Sequence, residues 1–86
     1  MAVVYDELYI STMREISVCR KKIGKLKRDL GEMERKYGMS TEEFIRRFRE
    51  GGMREHKDFS VWHDCHEGLR NWEERLRGYH EILESH

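Results

Sequence analysis

The densest run of chemically capable side chains is Trp62-His63-Asp64-Cys65-His66-Glu67. On a helix His63 and His66, or His63 and Glu67, would share a face, and Zn²⁺ accepts imidazole, thiolate and carboxylate. The H-x-x-H spacing, however, lacks the i,i+4 histidines and the glutamate of a metalloprotease helix. No second cluster supplies the missing ligands, the nearest other histidine being His56. The run is therefore expected to hold surface histidines beside a buried Cys65, with no metal and no cofactor. Cys19 and Cys65 lack the paired base that activates a thiol, and the serines and threonines lack a triad context. Gly51-Gly52 is without the lysine and hydroxyl residue of a phosphate loop. No catalytic residue is expected, and the chain reads as a non-enzyme.

A second chemistry is electrostatic. Arg20, Lys21, Lys22, Lys25, Lys27 and Arg28 follow one another with no acid between Ile16 and Asp29. Heptad spacing turns Lys21, Lys25 and Arg28 outward, where they are the expected phosphate contacts of a nucleic-acid-binding alternative. Arg20, Lys22 and Lys27 flank the apolar seam and are expected to meet Glu73 and its neighbours. No aromatics interleave the run to stack on bases, so a solvated face or an ion-pair flank is the simpler reading.

The elements that must position these groups are helices. Tyr9, Ile16, Ile23, Leu30 and Tyr37 recur every seven residues, as do Trp62, Leu69, Leu76 and Leu83. Cys19, Leu26 and Met33, and then Cys65, Trp72 and Tyr79, interleave them in the a/d pattern of helices that pack on helices. With no proline to interrupt it, a first helix is expected over 6–37, Asp6 and Glu7 at its positive end and Gly38 as its stop. Ser40 and Glu43 have capping-box spacing, with Met39 and Phe44 as a staple, so a short helix is expected over 41–50, ended by Gly51-Gly52. A polar loop over 53–57 then leads to a third helix over 58–84, with Asp58 as its N-cap.

The two long helices suit an antiparallel hairpin, coiled-coil-like, with the short helix lying across its closed end. The fold class is all-α and residues 1–86 form one domain. Tyr37 opposite Asp58 sets a register in which Leu30 faces Cys65, Ile23 faces Trp72 and Ile16 faces Tyr79. It also leaves Cys19 about eleven residues, roughly 16 Å, from Cys65, too far for a disulfide. A two-helix hairpin leaves its stripe half open, most widely where Val3, Val4, Tyr5, Leu8, Ile10, Ile82 and Leu83 gather. A homodimer, or another protein, is expected to cover it.

Composition sets further bounds. Charged residues make up 40% of the chain, with 17 of each sign, so no global field selects nucleic acid or anionic lipid. Residues 1–57 hold 14 basic and 10 acidic side chains, or +4, and residues 58–86 hold 3 and 7, or −4, so the two halves should attract. No apolar run approaches the ~20 residues that span a bilayer, and Asp6 and Glu7 stand where a signal peptide is basic. A cytoplasmic location without membrane contact is expected. The absence of glutamine, with Asn71 the lone asparagine, fits a thermophilic source.

Lys36-Tyr37-Gly38-Met39-Ser40-Thr41-Glu42-Glu43-Phe44, followed by Phe48, Gly51, Asp58-Phe59 and Trp62, resembles a family of small helical proteins of bacteria and archaea. Its pattern is a K-Y-G-M-S-x-E-E-F turn, F-x-x-x-F-x-x-G, then D-F-x-x-W opening a long final helix. The likeness covers about residues 36 to 76, and many such proteins look like the antitoxin halves of toxin–antitoxin pairs. Here the loop Gly52-Met53-Arg54-Glu55-His56-Lys57 departs from the acidic loop of that family. The resemblance implies a helical protein–protein interaction module whose partner is a protein such as a toxin. The aromatics Phe44, Phe48, Phe59 and Trp62 are the partner-binding candidates. The alternatives are nucleic-acid binding through residues 20–28 and a structural coiled-coil subunit.

Overall fold

The computed structural model of the chain describes residues 2–53 and 56–85, with side chains described from Glu7 onward. Three helices follow one another, α1 (Ala2–Tyr37), α2 (Thr41–Arg49) and α3 (Lys57–Glu84), with no strand among the described residues. None of these helices is long and apolar enough to cross a membrane. The molecule is elongated, 57 × 21 × 17 Å.

The helix ends are set by local chemistry. α1 runs into Gly38, whose φ of 63° lies in the left-handed region, and the Gly38 amide donates to the Glu34 carbonyl at 2.9 Å. This is the glycine stop that the sequence implies. The start differs from expectation. α1 already begins at Ala2 because nothing in residues 2–5 breaks a helix, which moves Asp6 and Glu7 out of the first turn.

At α2 the Ser40 hydroxyl accepts from the Glu43 amide at 3.1 Å. The reciprocal half of the capping box gives way to ion pairs, since the Glu43 carboxylate takes Arg46 and Arg47 instead. Gly51, at φ 88°, ends the helix. α3 is capped by His56 and not by Asp58. The His56 Nδ1 accepts from the Asp58 amide at 3.1 Å, which leaves the Asp58 carboxylate free to reach back to α1.

α1 and α3 lie along one another over most of their length. Lys36 and Tyr37 hydrogen-bond to Asp58, a Cβ on Gly68 would touch Leu26, and Tyr79 donates to Glu15. These contacts set the last residues of α1 beside the first of α3, and Glu15 beside Tyr79. The seam is deeper on one side. On α1 Ile16, Cys19, Ile23 and Leu30 are buried and Leu26, Met33 and Tyr37 half-buried, whereas on α3 Trp62 is buried and Leu69, Trp72, Leu76, Tyr79 and Leu83 are half-buried. Tyr9, the first rung of the α1 ladder, is 57% exposed.

Candidate partner-binding surface

The core is centred where α2 meets the long helices. Phe44 lies flat on Trp62, with ring centroids 4.1 Å apart, and both residues are 0% exposed. Phe59 and Tyr37 pack edgewise at 4.9 Å, and Phe44 also touches Phe48 and Phe59. Met39 packs against the same cluster, consistent with the expected staple. Burying a phenylalanine of this kind contributes about 1.5–3 kcal/mol.

A polar strand ties this cluster down. The Trp62 indole donates to the Thr41 hydroxyl at 3.1 Å, and that hydroxyl donates onward to Glu34 at 2.9 Å. The same Glu34 carboxylate accepts from the Thr41 backbone amide at 2.8 Å. Glu34 thus satisfies an amide at the start of α2 that no helical carbonyl can reach. One residue from each helix is joined in this network. The sequence offered no periodic signal for it, because Glu34 and Thr41 stand seven apart across a turn.

Beside it, Lys36 and Tyr37 both donate to Asp58, the Lys36 contact at 2.7 Å. The Lys36 bond comes first among the causes that hold the Asp58 carboxyl below the usual carboxylate range, and the Tyr37 bond follows. The Tyr37 phenol and the Lys36 ammonium are each raised by the same contact with Asp58. On α2, hydrogen bonds from Arg46 and then Arg47 lower the Glu43 carboxyl to about 2.

Of the four aromatic partner-binding candidates, Phe44 and Trp62 lie wholly inside this cluster, and Phe48 and Phe59 are half-buried at its rim. A partner reaching this end of the molecule would touch Phe48 and Phe59, with Phe44 and Trp62 behind them. Phe48 also stacks on His63 at 4.6 Å.

His63 is therefore partly covered, and His66 is half-buried. Among the described residues no three of His, Cys, Asp and Glu converge to hold a metal ion. Cys19 and Cys65 are free thiols, the first buried and the second half-buried. Burial raises the Cys65 thiol, and Asp29 adds to the effect, which opposes formation of the nucleophilic thiolate.

The charge pattern departs from expectation. Arg20, Lys22 and Lys27 do not pair with Glu73, and among the described residues the one ion pair joining α1 to α3 is Lys36–Asp58. Lys25 pairs with Asp29 of its own helix at 3.0 Å. Lys21 and Arg28, two of the phosphate-contact candidates, are exposed with no ion pair to a described residue. The attraction foreseen between the halves is thus concentrated at one end. Elsewhere long cationic side chains remain in water, where ordering them would cost more entropy than an exposed pair returns.

Apolar surface also remains open. Leu8, Tyr9, Ile10, Met13 and Val18 of α1 are exposed, as are Val61 and Ile82 of α3. Val3, Val4 and Tyr5, placed by the sequence at the same end, have side chains outside the described residues, and Arg54 lies outside them too. Comparison of the chain with protein-family models, with curated proteins and with solved structures returned no match.

Proposed function

We propose that this chain is a non-enzymatic protein–protein interaction module. Its α1 and α3 form an antiparallel, coiled-coil-like hairpin with α2 as the cross-helix at the closed end, and its open side is covered by helices of a partner. The observation that carries this reading is the incompletely covered seam, in which Ile16, Cys19, Ile23 and Leu30 of α1 are buried, Leu69, Trp72, Leu76, Tyr79 and Leu83 of α3 are only half-buried, and large apolar side chains, Tyr9 among them, stand exposed on both helices. Surface of that kind marks contact with another protein. Amphipathic helices are recognised by laying such a face into a groove between other helices.

The likeness at residues 36–76 supports an antitoxin of a prokaryotic, cytoplasmic toxin–antitoxin pair, which would dock its helices on the toxin. The test is capture of partners from the native host by the tagged wild type and by a Tyr9→Lys, Ile82→Lys variant. Both positions are exposed, so the fold should survive, as circular dichroism would show. Loss of a stoichiometric partner from the variant supports the reading. An unchanged set of captured proteins contradicts it.

A second reading rests on the exposed cations of α1 that make no ion pair with a described residue, Lys21 and Arg28 among them. A nucleic acid bound there would be released by salt, with a slope set by the phosphates neutralised.

A further inference from the structure

We infer that the face of α1 and α3 beyond α2 is a docking surface for a second copy of this chain, and that charge selects how the copies meet. This rests on the interaction-module reading and deepens it by naming the partner and the contact.

The face is defined by what α2 already covers. Glu34 on α1 is hydrogen-bonded to Thr41 of α2, and Phe59 on α3 packs against Phe44 of α2. Residues seven apart on a helix share a face. Stepping from Glu34 away from α2 gives Lys27, Arg20 and Met13, and stepping from Phe59 gives His66, Glu73 and His80. Between these two edges run Leu69 and Leu76, both half-buried. α2 therefore seats on one end of an apolar strip whose continuation no element of the described chain covers.

The continuation has two cations on its α1 edge and, between His66 and His80, one acid on its α3 edge. Arg20 and Lys27 are exposed on the α1 edge and Glu73 is half-buried on the α3 edge, and none of the three has an ion pair with a described residue. Two copies related by a two-fold axis along the helices bring the α1 edge of each against the α3 edge of the other. Rotation about that axis preserves height. With Leu26 beside Gly68 and Glu15 beside Tyr79, Arg20 is level with Glu74, one residue from Glu73, so Arg20 and Glu73 lie within about 2 Å along the axis. An axis across the helices would set Arg20 and Lys27 against their own copies, and like charges so juxtaposed are disfavoured. The same arrangement closes the apolar strip into a four-helix bundle over the stretch from Met13 to Lys27, with the copies splaying apart towards α2.

Sedimentation equilibrium on the full chain tests this. The wild type should dimerise, and raising NaCl from about 50 mM to about 500 mM should weaken the dimer through screening. Arg20→Glu with Lys27→Glu should weaken it roughly tenfold or more, and adding Glu73→Lys should restore it, a charge-swap rescue that loss of fold could not produce. Circular dichroism at each step reports the fold. A wild-type dimer indifferent to both salt and charge reversal overturns the proposal, as does a monomer at every salt. A low-salt monomer that retards nucleic acid overturns it in favour of the basic stripe. If the chain is monomeric yet its capture of another protein depends on Tyr9 and Ile82, self-association fails while the interaction-module reading stands.

Discussion

Thr41 is the residue on which the most structure converges, since it accepts from the Trp62 indole and donates twice to Glu34. Replacing it with the near-isosteric valine leaves a buried indole N–H without a partner, and Thr41→Val should cost about 1–3 kcal/mol in a urea titration. Ser40→Ala, which removes one cap of α2, should cost about 1 kcal/mol in the same titration. Two carboxylates give a pH dependence of known sign. Glu43 titrates at about 2 and Asp58 below its ordinary range, so each binds fewer protons folded than unfolded. Their contribution is complete above the unfolded value of about 4 and is lost as pH falls through the folded values. Melting temperature should therefore drop towards about pH 2, and Glu43→Gln should flatten that drop. Superimposable profiles for the two proteins would remove the Arg46 and Arg47 pairs from the account.

The long helices were legible because their apolar residues recur at seven, and the α2 boundary was legible because Gly38 and Ser40 have local reasons to be there. What the sequence did not show is what depends on side chains meeting across a turn. Glu34 bonding to Thr41 and His56 displacing Asp58 as the cap of α3 both follow from distances that periodicity does not encode. The aromatic candidates had the right spacing to cluster, but only the packing distinguishes Phe44 and Trp62, at 0% exposure, from the rim residues Phe48 and Phe59. Ile23, at 9% exposure, belongs to the buried ladder, and Ile23→Asp should abolish the helical circular dichroism signal because an unpaired charge cannot be held there. Gly78 behaves oppositely. A Cβ there would meet nothing within 4 Å, so Gly78→Ala should stabilise the chain by about 1 kcal/mol through helix propensity alone.

For the whole molecule the controlling fact is size. Eighty-six residues drawn out to a length of 57 Å have Ile16, Cys19 and Ile23 as buried apolar side chains away from the α2 end, and a chain of this size conceals only roughly 60% of its unfolded surface. The α2 end is closed by stacked aromatics. The remainder depends on one seam whose α3 side is still half open, and the association inferred above would cover it. The same molecule carries a basic α1 edge and acidic α3 side chains that have no ion pair with described residues, so covering the apolar strip and matching charge point to one arrangement. The most direct measurement is thermal unfolding, followed by circular dichroism, across a hundredfold range of protein concentration at low salt. Self-association of the chain requires a melting temperature that rises steadily with concentration. One melting temperature over the whole range, with a monomer by sedimentation, would contradict it.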